Sequence, residues 1–201
     1  MVATSDAGRD PVNMGTPVTE IELTLRDGRA VHLRPMHLSD EAEILQAFER
    51  MSDQARYMRF MRVVREPNVE RLRKVLASFP AHGIGLVATV PAADGLDIVG
   101  SAIAIIGADE TACEFAIHVA SQFERTGLAT ALMNQLIDAA KRRGLLEMEG
   151  FVLAENESML RLAGKLGFVI ERDPDDPTVR NVRRALQESG AAQSAKVPPA
   201  G

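Results

Sequence analysis

The segment that most constrains this chain is residues 113–130, Cys-Glu-Phe-Ala-Ile-His-Val-Ala-Ser-Gln-Phe-Glu-Arg-Thr-Gly-Leu-Ala-Thr. A strand-like run over 112–119 passes through a short loop straight into a helical pattern over 128–143. In that helix Leu128, Leu132, Leu136, Ile137 and Ala140 fall on one side. Basic residues 141–143 sit at its C-terminal end, where they suit the helix dipole, and Gly144 ends it. The loop carries small side chains at Thr126, Gly127, Ala129 and Thr130, which let an anion approach backbone N–H groups. The first-turn N–H groups of a helix have no internal partner and lie at the positive end of its dipole. Such a junction suits a pyrophosphate, with Arg125 as an added donor. The same pattern also serves as an ordinary strand-to-helix turn.

The rest of the chain alternates the same two element types. Residues 21–25 and 30–34 alternate around Asp27-Gly28, a hairpin signature. Ser39 is placed to cap a helix running to Phe48. Ser52 is placed to cap a second helix, holding Arg56, Tyr57, Arg59 and Phe60, and Pro67 to start a third that runs to Ser78. Strand-like runs at 85–90, 98–106 and 112–119 are separated by the turn signals Pro-Ala-Ala-Asp-Gly and Gly-Ala-Asp-Glu, which suits an antiparallel meander. After the long helix comes a strand at 145–153. Asn156 then caps a helix over 157–166 that closes on Gly167. Final strands fall at 168–171 and 178–186. The predicted order is β-α-α-α-β-β-β-α-β-α-β-β, within one domain over 20–188. Residues 1–19 read as a flexible arm and 189–201 as a flexible tail.

Composition limits the chemistry. The 201 residues hold one Cys, one Tyr, no Trp and four His. One Cys excludes an intramolecular disulfide and any Cys-based zinc site, and the few His leave little for a metal cluster, so no metal is expected. The net charge of −5 argues against nucleic acid as the main partner, and nothing suggests a membrane. The unpaired Cys113 and the lack of a signal-like N-terminus suit a cytoplasmic location. Charge is uneven: residues 49–78 hold eight basic and four acidic side chains, residues 79–140 one basic and seven acidic. This reads either as solvated surface or as an acidic stretch for a cationic acceptor beside a basic stretch for an anionic ligand.

Four stretches, in order, resemble the GNAT N-acetyltransferase family. Glu124-Arg-Thr-Gly-Leu-Ala129 resembles its (Gln/Arg)-x-x-Gly-x-(Gly/Ala) acetyl-CoA loop. Leu153-Ala-Glu-Asn-Glu-Ser-Met-Leu-Arg-Leu-Ala-Gly-Lys-Leu-Gly-Phe168 resembles its later strand-to-helix segment. Val31-His-Leu-Arg-Pro35 and Ser52-Asp-Gln-Ala-Arg-Tyr-Met-Arg-Phe60 look like the first strand and following helix of the bacterial Pat-type protein lysine acetyltransferases. The resemblance covers about residues 21–186. It implies an α/β (α+β) GNAT fold: a mixed, mostly antiparallel sheet of about six to seven strands, flanked by helices and splayed where acetyl-CoA binds. In the Pat-type subset the domain is often fused to a further module; this chain is expected to be a stand-alone catalytic domain.

The resemblance also implies roles. Backbone groups of Ile117, His118 and Val119 would meet the pantetheine arm, and the N–H of Val119 would polarise the thioester carbonyl. Residues Arg125, Thr126, Gly127, Leu128, Ala129 and Thr130 would cradle the pyrophosphate. Asn156 would contact the coenzyme, or act only as a helix cap. Glu114 stands where the lysine-acetylating subset keeps its general base; taken alone it is an ordinary strand carboxylate. Alternation puts Glu114, Ala116 and His118 on one face and Cys113, Phe115, Ile117 and Val119 on the other. Glu114 and His118 then lie ~13 Å apart, too far for a direct dyad. Cys113 reads as a small buried hydrophobe, which implies direct attack of the amine on the thioester in a ternary complex.

Two departures stand out. Glu124 replaces the usual Gln or Arg, which puts coenzyme affinity in question. The helix after Asn156 carries no Tyr to act as general acid, as in the Pat-type subset, leaving water or Ser158. The acceptor is a protein lysine or a small amine, and a non-catalytic acyl-CoA-binding regulator is the third reading. Arg56 and Tyr57 would line the acceptor side, or the helix packs its Tyr and Phe60 while its Arg groups stay in water. Oligomeric state is not legible.

Overall fold

Strands β1 (Ile21–Thr24) and β2 (Ala30–Pro35) open the fold as the expected hairpin. Gly28 takes a left-handed φ of +86° in the turn, and the Leu25 N–H donates to the Arg29 carbonyl at 2.8 Å. The computed structural model describes residues 18–93 and 95–187. All but the last two residues of the expected arm, and the whole of the expected tail, lie outside the described residues.

Three helices follow: α1 (Glu41–Glu49), α2 (Asp53–Phe60) and α3 (Val69–Ala77). Ser52 caps α2 as expected, its Oγ accepting from the Ala55 N–H at 3.1 Å. Two other expected starts move. Ser39 lies inside a 3-10 turn, Leu38–Asp40, that precedes α1 and caps nothing. The polar group working there is the buried Asp40, which accepts from the His37 N–H at 2.8 Å and two bonds from Arg34 at 2.8 and 2.9 Å. Pro67 stays outside α3, because Asn68 Oδ1 accepts from the Arg71 N–H at 2.8 Å and sets the start there.

Strands β3 (Gly83–Ala92), β4 (Gly95–Ile106) and β5 (Ala112–Val119) form the antiparallel meander. β3 and β4 run longer than predicted because pairing continues through Pro91 with Leu96 to Ala92 with Gly95. α4 (Leu128–Arg142), β6 (Glu147–Leu153), α5 (Glu157–Lys165), β7 (Val169–Arg172) and β8 (Val179–Ala185) complete the fold.

The sheet has eight strands in the order β1-β2-β3-β4-β5-β6-β8-β7, against the expected six to seven. The β5–β6 pair is parallel and the rest are antiparallel. One face packs on α4 and α5. Leu128, Leu132, Met133, Leu136 and Ile137 of α4 meet Leu86, Ala102, Phe115 and Met148 there. The other face packs on α1 and α3 through Met36, Leu76, Val87 and Ile98, with Ile44 and Leu72 against them. α4 alone buries seven side chains, so truncating one of its fully buried leucines to Ala costs about 2–5 kcal/mol.

Candidate active site

β5 and β6 pair at only three positions, Ala112 with Glu147, Cys113 with Met148 and Glu114 with Glu149. Beyond them β5 runs on to Val119 beside β4, and β6 to Leu153 beside β8. The two strands therefore part and leave a V-shaped gap in the sheet. Both end at its open side, and each leads into a helix there, so the N-termini of α4 and α5 flank the mouth.

The backbone of β5 is turned into this gap in a fixed phase. The Ala120 N–H donates to the Val99 carbonyl, and the Gly107 N–H to the Ala112 carbonyl, both at 2.9 Å. In an antiparallel ladder, alternate residues face the partner strand. Even-numbered residues of β5 thus bond to β4, while the N–H and C=O groups of Phe115, Ile117 and Val119 point away from it. Ile117 and Val119 lie past the last β6 pair, so their groups line the gap. The His118 backbone instead faces Ser101 on β4, which leaves only its side chain for any ligand. The side chains of Ile117 and Val119 pack against the main core.

The loop before α4 is built for backbone display. Arg125 has φ +60° and Gly127 φ +97°, with Thr126 between them outside the positive-φ set. Such alternation of hand turns successive N–H groups toward one concave space. The buried Thr126 hydroxyl donates to the Phe123 carbonyl at 2.7 Å, so it holds the loop together. Leu128 is fully buried, and its N–H donates to the Thr126 hydroxyl oxygen at 3.4 Å, so unlike its neighbours it is turned into the protein. Gly127 caps α4 without a side-chain bond. Among the described residues the N–H groups of Ala129 and Thr130 have no protein acceptor. Arg125 and Glu124 are both exposed. Asn156 does cap α5, its Oδ1 accepting from the Met159 N–H at 3.1 Å.

The alternation predicted for β5 holds: Cys113 and Phe115 are buried and Glu114 is exposed. Glu114 lies on the face that α2 covers. The half-buried Arg59 of α2 reaches this face: burial lowers its pKa to about 10, and the charge of Glu114 works to keep it protonated. Burial, helped by the charge of Arg59, pushes His118 down to about 4, so His118 is neutral near pH 7 and a weak base. Burial and the charge of Glu149 push the Cys113 thiol up to about 12, which makes it inert as a nucleophile. A shallow cavity of about 200 Å³ opens beside Glu114 and Glu149, edged by Ile105, Gly107 and Ala112.

α2 reverses the expected burial. Tyr57 and Phe60 are each 37% exposed, whereas the Arg56 side chain is 15% exposed. Arg56 donates to the Phe48, Glu49 and Arg65 carbonyls at 3.1–3.2 Å and lies over the Phe48 ring. It ties the end of α1 to α2. The charge asymmetry also has a structural use, since Arg50 pairs with Asp97 at 2.6 Å and Arg59 faces Glu114. The basic helices neutralise part of the acidic meander.

Arg59 and Glu149 were missed from the sequence. The opposite charge of the two stretches was the available signal for Arg59; no local pattern marks Glu149, which reaches Glu114 only through a parallel pairing. Among the described residues no cluster of His, Cys, Asp or Glu is placed to hold a metal ion, and no helix is long and apolar enough to cross a membrane.

A sheet that splays beside a backbone-lined strand and a glycine loop at a helix N-terminus defines an acyl-coenzyme-A-dependent transferase architecture. Residues 30–169 match the acetyltransferase (GNAT) domain family, and the chain belongs to that family as an N-acetyltransferase that uses acetyl-CoA. It is 34% identical over 163 residues to Acetyltransferase PA5475 of Pseudomonas aeruginosa, which covers 81% of this chain and 88% of that one. The fold is similar to the GNAT domain of S. lividans PAT, with TM-score 0.74, 22% identity, and 88% and 99% of the two chains covered. It is also similar to yncA from Salmonella typhimurium, whose structure contains its cofactor acetyl-CoA, with TM-score 0.59, 18% identity, and 82% and 99% covered.

Proposed function

We propose that this N-acetyltransferase acetylates lysine side chains of proteins, with Glu114 as the general base. The observation that carries the reading is the position of Glu114: exposed, at the last paired residue before β5 and β6 part, on the face covered by α2. The acceptor amine approaches from that face, and the coenzyme lies in the gap. Similarity in fold to the GNAT domain of S. lividans PAT supports the choice of acceptor class and a Pat-type kinship.

In this reading the backbone of Ile117 and Val119 pairs with the pantetheine arm, and the Val119 N–H stabilises the developing oxyanion. N–H groups of Arg125, Thr126, Gly127, Ala129 and Thr130 hold the pyrophosphate, while Leu128, whose N–H bonds to Thr126, anchors the loop. A protonated lysine cannot attack a thioester, so Glu114 takes its proton. The free amine then adds to the carbonyl carbon, the C–S bond breaks, and the proton that the nitrogen loses on forming the amide passes through water to the leaving thiolate, giving coenzyme thiol. The inert Cys113 suits a direct transfer with no acetyl-enzyme.

The test is release of coenzyme thiol with a panel of lysine peptides and small amines, run as a pH profile on wild type and Glu114→Gln. The expected result is turnover with lysine peptides and a 10²–10⁴-fold lower rate for the variant. Turnover unchanged in folded Glu114→Gln removes the base assignment. Turnover with small amines alone removes the protein-lysine assignment. Labelled acetyl-CoA in a cell lysate identifies the acceptor proteins.

A further inference from the structure

We propose that Arg26, on the turn between β1 and β2, binds a phosphate group of acetyl-CoA at the N-terminus of α4. The inference rests on the coenzyme reading of the α4 loop and adds a residue from outside that loop. The hairpin turn is fastened to the loop at two points. The Arg26 N–H donates to the Thr126 carbonyl at 3.0 Å, and Arg29 Nη2 donates to the Gln122 carbonyl at 2.6 Å while its guanidinium lies 3.8 Å from the centre of the Phe123 ring.

The two arginines are used differently. Arg29 is spent within the protein, since Asp27 holds it at 2.6 Å. Arg26 is exposed and, among the described residues, pairs with no carboxylate. Its side chain passes directly over Gly127: a Cβ placed there would lie 3.6 Å from Arg26 Nε and 3.8 Å from its Cγ. A fork of N–H donors thus stands beside the left-handed glycine that opens α4.

Charge makes this placement useful. Within residues 79–140 the single basic side chain is Arg125, against seven acidic ones, and Glu124 adjoins it in the loop. Coenzyme A carries a pyrophosphate and a 3′-phosphate, and a site in this stretch has Arg125 as its one cationic side chain. The hairpin supplies a second from 100 residues upstream, offsetting the carboxylate at Glu124.

Affinity is measured by calorimetry for wild type, Arg26→Gln and Arg26→Lys, with acetyl-CoA, its 3′-dephospho form and acetyl-pantetheine, which has neither the pyrophosphate nor the 3′-phosphate. Melting temperature is followed alongside. The expected result for Arg26→Gln is about tenfold or more weaker binding of acetyl-CoA, with acetyl-pantetheine unaffected and Arg26→Lys recovering part of the loss. An equal loss with the dephospho form assigns the pyrophosphate; a loss confined to acetyl-CoA assigns the 3′-phosphate. Unchanged acetyl-CoA affinity, or an equal loss with acetyl-pantetheine, overturns the proposal. Absence of acetyl-CoA binding by wild type instead defeats the coenzyme reading of the loop itself.

Discussion

The ring of Phe115 packs against Gly150, so close that a Cβ on Gly150 would come within 2.6 Å of Phe115 Cε1. Both residues sit one position past the last β5–β6 pair, and Phe115 stacks at a tilt on Phe168, 5.3 Å between centroids. The ring thus lies over the point where the strands part. Gly150→Ala is expected to cost about 1–3 kcal/mol by overpacking and to weaken acetyl-CoA binding by shifting β6. Thermal melts and titration check both effects. Adding Phe115→Leu should recover part of the stability, and no recovery would show that the ring is not the obstacle.

Gly127 is confined by its backbone. Its φ of +97° disfavours any L side chain, while the nearest atoms to a built Cβ are an ordinary 3.6 Å away. Gly127→Ala therefore strains the loop without crowding it, by about 1–2 kcal/mol. The expected outcome is a small drop in melting temperature and a larger loss of acetyl-CoA affinity, as the N–H groups turn out of register.

His118 makes stability depend on pH in a defined direction. Its folded pKa of about 4 lies below the ordinary 6.5, so the unfolded chain takes up a proton first as the pH falls. The contribution is fully present above about pH 6.5 and is lost progressively between there and about pH 4. Burial acts first, and Arg59 adds to it, while Glu114 faces Arg59 from β5. Denaturant unfolding across pH 4–7 should show a slope of up to about 1.4 kcal/mol per pH unit from this group. His118→Gln should flatten it. A wild-type curve already flat over that range contradicts the assignment.

Arg34 and Asp40 form a two-pronged ion pair at 2.8 and 2.9 Å beneath the start of α1. Burial alone would raise the Asp40 carboxyl, but the Arg34 guanidinium and the His37 N–H outweigh it and hold the carboxyl below its usual range. Arg34→Ala leaves that carboxylate buried and unpaired, so a loss of about 3–5 kcal/mol is expected. Arg34→Lys should recover less than half, because a single ammonium cannot reproduce the fork. Chemical denaturation of the three proteins measures the series.

Periodicity and local capping carried most of the fold into the sequence reading. The alternation of residues 112–119 and the apolar stripe of α4 are short-range patterns, and the structure keeps both. Ser52 and Asn156 cap as their residue types suggest. Ser39 and Pro67 do not start helices: Ser39 lies inside the 3-10 turn where Asp40 accepts from the His37 N–H, and Asn68 supplies the cap of α3. At the candidate site, the small residues of the loop 125–130 were legible because they adjoin one another in sequence and precede a strong helical pattern. Arg59, Glu149 and Arg26 were not, because each reaches its neighbours through long-range packing. Arg26 meets Thr126 across 100 positions, and Glu149 meets Glu114 across a helix and a parallel pairing.

Cys113 turns this enzyme into its own stability gauge. Its thiol is 1% exposed and raised to about 12, so in the native state it neither meets nor attacks a thiol reagent. Once the sheet opens, the same sulfur becomes an ordinary thiol near 8.5. It is also the single cysteine of the chain, so every labelling event reports one place. The rate of alkylation in dilute reagent therefore counts excursions of the β5–β6 seam. Ligands that close the seam will slow that clock, with no dye or tag attached.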